Sequence, residues 1–290
     1  MGKLALWSNR ISDDGIDMRL YKYCDAGGIE ILRGCSIKVS APSELNDPFD
    51  CNPVPDTSTP ASREALRGMI INASQLLPKA IEGSLAPPPG MSRQQLKEKL
   101  LGILDARLDD PEFVRMASEH LSTATGLLCL SAAKSHHLMW AHYADRHQGL
   151  VIEFDLEGIF QTTEDVNDLK SRTLHKVQYS DVRPSYRFDQ LNPSVILTKG
   201  TAWEYEAEWR VLFLLKDVPQ QVVAGRQMRL HSIPPSCIKA VYLGNRMPDM
   251  RCQEVRQLCD QEYLRHIDIY QMELDHQGYL MVPRLVRPAN

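Results

Sequence analysis

Three glutamates, Glu204, Glu206 and Glu208, stand at alternate positions in TAWEYEAEWRVLFLL (Thr201 to Leu215), interleaved with Trp203, Tyr205, Ala207, Trp209, Val211 and Phe213. Strict alternation is strand periodicity. The stretch therefore predicts one strand, with the carboxylates and Arg210 on one face and an aromatic, branched wall on the other. Like charges this close repel, so the row is stable when a cation, a substrate or a shared proton sits among them. Carboxylate oxygens suit Mg²⁺, and a metal-dependent hydrolase would recruit a further carboxylate such as Asp47 or Asp50. The plain structural alternative is a solvated sheet face with Arg210 as local counter-ion.

Other residues able to do chemistry cluster upstream. His136, His137, His142 and His147 crowd one region, but His142 and His147 are five apart, off a shared helical face, and HExxH is absent, so no metal site is expected. No GxSxG elbow, GxGxxG or GxxxxGK[ST] occurs. Cys129 falls on an apolar strand and reads as core. Asn46-Asp47-Pro48-Phe49-Asp50 forces an ordered turn that is either a structural corner or a substrate contact. Trp140 and Tyr143 are three apart and lie near one another on a helix surface; Tyr143, among His142, Asp145 and His147, turns one end to water or a ligand.

The elements that must position these groups follow from periodicity and punctuation. Leu20 to Tyr23 reads as a strand, Ile29 to Leu32 as a short helix ending at Gly34, and Cys35 to Ser40 as a strand. A helix over residues 62 to 77, a capping box of Ser92 with Gln95, and Pro111 opening a further helix make residues 60–125 a helical insertion. Ser84 to Gly90 (SLAPPPG) is its linker and the expected mobile loop. Leu127 to Ser131 is an apolar strand, Leu138 to Asp145 a short helix, and Gly149 to Asp155 an alternating strand. Thr173 to Asp181, Ile238 to Leu243, His266 to Met272 and Gly278 to Val282 read as strands, with a helix around Val255, Leu258 and Cys259. Residues 1 to 18 are a lead-in. The fold class is α+β, with bent, largely antiparallel sheets and flanking helices, residues 1–59 and 126–290 forming one domain around the insertion.

The 290 residues are 43% hydrophobic and 24% charged with a net charge of -4, an ordinary globular balance without the basic footprint of a general nucleic-acid binder. No apolar run approaches the roughly 20 residues of a spanning helix, so no membrane partner and a cytoplasmic location are expected. The seven cysteines lack CxxC spacing and indicate neither a disulfide framework nor a zinc site.

LYKY (Leu20 to Tyr23), SAPSELNDPFD (Ser40 to Asp50), LCLS followed by LMWAHYAD and GLVIEFD (Leu127 to Asp155), and WEYEAEWR (Trp203 to Arg210) together resemble the bacterial family catalogued as domain of unknown function 2971. A more distant resemblance is to the ADP-ribosyltransferase fold. It places Tyr21 and Lys22 at that fold's first motif, Ser131 and Tyr143 at its second, and Glu208 at its third, with Glu206 completing an ExE pair. The resemblance implies NAD as substrate. Glu208 would bond a ribose hydroxyl and offset positive charge developing on the sugar, while Glu206 would orient or deprotonate an acceptor or water. Tyr143 would stack on the cationic nicotinamide ring, and Lys22 and Ser131 would meet phosphate or ribose, with Tyr21, Asn46, Trp140 and His142 completing the binding set. The expected function is ADP-ribose transfer to a nucleic-acid or protein acceptor, or NAD hydrolysis, in a toxin or phage-defence effector held by an inhibitory or regulatory protein. Two rivals stay open: a metal-dependent nuclease built on Glu204, Glu206 and Glu208, and a non-catalytic protein-binding module.

Overall fold

The computed structural model describes residues 19–74, 77–121, 125–162, 172–190, 192, 194–223 and 225–289; the lead-in expected over residues 1 to 18 lies outside them. The chain opens with β1 (Arg19–Cys24), α1 (Gly28–Gly34), β2 (Ser36–Lys38) and β3 (Val54–Asp56). Four helices follow, α2 (Pro60–Ala73), α3 (Leu77–Ile81), α4 (Arg93–Arg107) and α5 (Pro111–Leu121). Then come β4 (Thr125–Ser131), α6 (His137–Tyr143), β5 (Leu150–Asp155), β6 (Gln161–Thr162), β7 (Thr173–Lys176), β8 (Gln178–Tyr179) and β9 (Ser185–Arg187). The chain continues through α7 (Ser194–Leu197), β10 (Thr198–Lys199), β11 (Glu208–Leu214), β12 (Gln220–Val223) and β13 (Arg226–Ser232). It closes with β14 (Ile238–Leu243), α8 (Asp249–Cys259), β15 (Asp268–Leu274) and β16 (Met281–Arg287).

The organising element is a nine-stranded sheet in the order β16-β15-β14-β5-β1-β4-β11-β7-β6, mixed but mostly antiparallel, so the fold is α+β as the sequence predicts. Its middle strands are buried on both faces. β5 is buried from Leu150 to Phe154, and the largest apolar cluster, including Leu20, Leu128, Leu130, Ile152, Phe154, Val211 and Val241, fills one side. Tyr21, Tyr23, Met139, Trp140, Val151 and Tyr242 fill the other. Alternate residues of one strand point to opposite faces, which is why Leu20 and Tyr21 fall in different clusters.

Halfway across, the ladder is interrupted. β1 runs against β5 over its whole length, and β4 runs against β11 over its whole length, but the register of β1 with β4 consists of Tyr21 opposite Ser131. The sheet is thus two slabs joined at one residue pair.

The helices begun by Ser92 and Pro111 lie where those signals put them, whereas the helix expected over residues 62 to 77 runs from Pro60 to Ala73 and is closed at Ser74. Thr59 accepts the Ser62 amide hydrogen (3.2 Å) ahead of Pro60, and Ser92 and Gln95 close the predicted capping box. Leu66, Leu104, Leu108 and Val114 of this segment make a separate small core, completed by Phe188. No helix among the described residues is long and apolar enough to cross a membrane.

The principal departure concerns Thr201 to Leu215. The strand begins only at Glu208, because Thr201–Glu206 winds into a 3₁₀ helix and Ala207 takes a left-handed conformation (φ 44°, ψ 51°), its amide bonded to the Glu204 carbonyl at 3.1 Å. Aromatic and acidic residues in alternation satisfy a strand pattern, but residues three apart share a side of a 3₁₀ turn. Trp203 and Glu206 are brought to one cation, Lys199, whose Nζ lies 2.5 Å from Glu206 and 5.1 Å from the Trp203 ring centroid. Glu204 points to solvent, so the row of three carboxylates does not form. The single strand expected over Thr173 to Asp181 is also divided, at Val177, whose amide turns to the Glu208 carbonyl (2.9 Å).

Candidate functional site

Where the two slabs part, a cavity of about 250 Å³ opens. Tyr21, Lys22 and Tyr23 of β1 line one wall and Leu127, Cys129, Leu130 and Ser131 of β4 the other. Asn46 and Asp50 come from the turn after β2, Tyr143 from α6, and Lys199, Glu206 and Glu208 from the hairpin-like reversal between β10 and β11.

Behind the cavity lies a closed set of charges. Arg210, fully buried, holds both oxygens of Glu208 (Nε to Oε1 2.9 Å, Nη2 to Oε2 3.0 Å), as two residues on one face of a strand can. Its Nη2 also donates to Asp50 Oδ2 at 2.6 Å, and its Nη1 to the Ile196 carbonyl at 2.7 Å. Lys199 Nζ donates to Glu206 Oε2 at 2.5 Å and Glu208 Oε2 at 3.2 Å, and lies 3.5 Å from Asp50 Oδ2. The second oxygen of Glu206 accepts the Tyr143 hydroxyl at 2.5 Å, and Asn46 Nδ2 donates to that same phenol oxygen at 3.1 Å. All five charged side chains are at most 6% exposed.

This setting drives the two glutamates apart. Burial alone would raise Glu208, but Arg210 and Lys199 outweigh it and hold the carboxyl down at about 2. Glu206 is pushed upward by burial, which prevails over the pull of Lys199. For Lys199 burial opposes charge, yet Glu208, Glu206 and Asp50 together raise its pKa above the ordinary lysine range. Burial and the Glu206 contact raise the Tyr143 phenol, and burial carries the Cys51 thiol up to about 12. One carboxylate is held firmly in its charged form, and its neighbour binds a proton more readily than a free glutamate does.

Of the residues singled out in the sequence, Glu206, Glu208, Tyr143, Tyr21, Lys22, Ser131 and Asn46 all line the cavity. Their contacts differ in kind. Lys22 Nζ donates to the Cys129 carbonyl (2.9 Å) across the gap, and Ser131 donates to the Glu206 carbonyl (2.5 Å), bracing the 3₁₀ turn rather than offering its hydroxyl to the cavity. Trp140 and His142 stand outside the lining. Trp140 is fully buried, its indole donating to the Lys134 carbonyl (2.9 Å) and its ring edge-on to Tyr23, so packing absorbs it. His142 is exposed and meets Trp203 edge to face at 6.4 Å. Asp47 closes the turn by accepting the Phe49 amide (2.9 Å), while Asn46 and Asp50 of the same turn line the cavity. Among the described residues no three His, Cys, Asp or Glu side chains converge as a metal-holding set.

Lys199 and Tyr179, which accepts the Glu208 amide at 2.8 Å, are the members that pattern reading missed. A signal existed for Lys199. Carboxylates at such spacing demand a cation, and Lys199 is the nearest lysine upstream.

Residues 139–211 match a family described as protein of unknown function (DUF2971), in keeping with the family resemblance read from the sequence. The matched stretch runs from α6 into β11 and carries Tyr143, Lys199, Glu206, Glu208 and Arg210. No curated protein and no solved structure matches the chain.

Proposed function

We propose, for a chain whose residues 139–211 carry that family's pattern, an enzyme that breaks the bond between nicotinamide and ribose in NAD and passes the ADP-ribose to an acceptor or to water. The observation that supports this reading is the pair Glu206 and Glu208, on one cavity wall, joined through one ammonium and shifted in opposite directions. Carboxylates divided in this way fit glycosidic chemistry, in which one stays charged beside a cationic sugar and the other handles a proton.

When the C1′–N bond breaks, its electron pair goes to the ring nitrogen, and neutral nicotinamide leaves without needing a proton. The ribosyl group is left as an oxocarbenium ion. Glu208, fixed by Arg210, supplies the negative charge that favours this ion, and a preorganised charge in a dry site acts strongly. The incoming hydroxyl of acceptor or water then bonds to C1′ and loses its proton to Glu206. Tyr143 and Asn46 orient Glu206 from the far side. At about 250 Å³ the cavity falls just below the usual range of ligand pockets, a size for the nicotinamide and its ribose with the adenylate half at the mouth.

Incubation of the purified protein with NAD, with and without cell extract, tests the reading through released nicotinamide. Release that falls about a hundredfold to a thousandfold in a folded Glu208→Gln variant is the expected result. Undiminished release in that variant rejects it.

A further inference from the structure

Lys199 is the one group through which the two carboxylates meet. β10, to which it belongs, is two residues long and lies parallel to β8; Gly200 and the 3₁₀ turn then fold the chain back, delivering Glu206 and Glu208 to an ammonium that precedes both. The side chain is 4% exposed and packs over the Trp203 ring. Its three hydrogens have three carboxylates within reach, Glu206 at 2.5 Å, Glu208 at 3.2 Å and Asp50 at 3.5 Å. Bound this way it cannot swing out to a ligand without taking from buried Glu206 the cation that bonds it, whereas Glu208 and Asp50 keep Arg210.

The two glutamates depend on it unequally. Glu208 keeps a bidentate partner in Arg210 whatever happens to Lys199. Glu206 has one oxygen on the uncharged Tyr143 hydroxyl and the other on Lys199, the cation that bonds it among the described residues. We infer that Lys199 is a positioning residue for the proposed reaction, holding Glu206 at a fixed separation from Glu208 and setting the pH at which Glu206 accepts a proton. This rests on the reading of the glutamate pair as the reacting groups. The groups facing Lys199 are Asp50 from the turn, Tyr143 from α6, Tyr179 from β8, and Tyr205, Glu206 and Glu208 from the 3₁₀ turn and β11, with Arg210 and Cys51 behind the carboxylates and Cys129 and Lys22 along the cavity. Lys199 and Arg210 contact the carboxylates directly, whereas Lys22 spends its ammonium on the Cys129 carbonyl.

The test is Lys199→Met, which keeps length and removes charge. Side-chain carboxyl signals of ¹³C-labelled glutamate are titrated in wild type and variant without NAD, with Glu206→Gln identifying the signal, and the pH profile of nicotinamide release is followed in parallel. The Glu206 midpoint and the acid limb of kcat/KM are expected to move upward together by about one pH unit or more, a tenfold change in proton affinity, with Lys199→Arg restoring both. An unmoved midpoint, or a rate loss uniform across pH, overturns the inference. Should Lys199→Met not fold, the double variant Lys199→Met/Glu206→Gln removes one charge of each sign from the interior. Its Glu208 signal is expected to stay low on Arg210 alone, and a rise to the ordinary carboxylate range overturns the assignment of Lys199 to Glu206. No release from wild type overturns the reaction and the positioning role with it; release with an unmoved acid limb overturns the positioning role alone.

Discussion

Two buried acidic sites lie on the same sheet and have little in common. Glu153 of β5, 4% exposed, accepts from Arg19 (2.5 Å) and from the Tyr242 hydroxyl, with Tyr270 stacked on Tyr242 at 4.9 Å. Its cation is 44% exposed, and Glu153 is not among the residues that line the cavity. Glu206 and Glu208, on the other slab, have cations that are 4% and 0% exposed, and they form part of a cavity wall. A buried carboxylate with a cationic partner is therefore not in itself a site. What separates the second case is that solvent cannot relieve its charges while a ligand can reach them.

The comparison predicts unequal losses. Arg210→Met takes the bidentate partner from buried Glu208 and the nearest cation from Asp50, leaving three carboxylates to Lys199, and is expected to destabilise the fold by about 3 to 5 kcal/mol, whereas Arg19→Met, at a solvent-screened pair, is expected to cost about 0 to 1 kcal/mol. Urea unfolding of both variants checks this, and equal losses would erase the distinction. Acid titration sharpens it further. Glu208 has a folded value held at about 2 against an ordinary 4.5, so its contribution to stability is complete above the unfolded value and lost as pH falls from about 4.5 through 2. Glu206 acts in the opposite sense, because a raised carboxyl favours the folded state below its ordinary value and loses that contribution as pH rises. Thermal unfolding of Glu208→Gln between pH 2 and 5 is expected to show a flatter dependence than wild type. A smaller effect than at Arg210 belongs to Tyr143→Phe, which removes one hydroxyl from Glu206 and an acceptor from Asn46. It is expected to cost about 1 kcal/mol in unfolding, with a modest fall in nicotinamide release.

Much of this was legible beforehand because local signals and the final fold agree. The capping box at Ser92, the apolar run Leu127 to Ser131 and the helix bearing Tyr143 all have short-range causes, and the structure places them as expected. The half of the acidic stretch from Glu208 onward was equally readable, since β4 on one side and β7 on the other hold it extended. Thr201 to Glu206 was not, because its winding depends on Lys199, Trp203 and Ser131, none of which alters the alternation. Trp140 was misplaced for a related reason. Its spacing from Tyr143 fixes proximity on the helix but not which side faces the sheet, and the larger ring went inward.

The seam between β1 and β4 bears on how the molecule yields to force. On either side of it, the ladders along Arg19–Cys24 and Thr125–Ser131 make each slab stiff, while Tyr21 and Ser131 form the lone rivet between them. Bending or shear of the sheet concentrates at that rivet, so the width of the cavity is the dimension least resisted by backbone hydrogen bonding. Away from that pair, whatever wedges into the gap works against side chains, Lys22 clipped to the Cys129 carbonyl and Tyr23 to the Ala133 carbonyl, which act as springs across it.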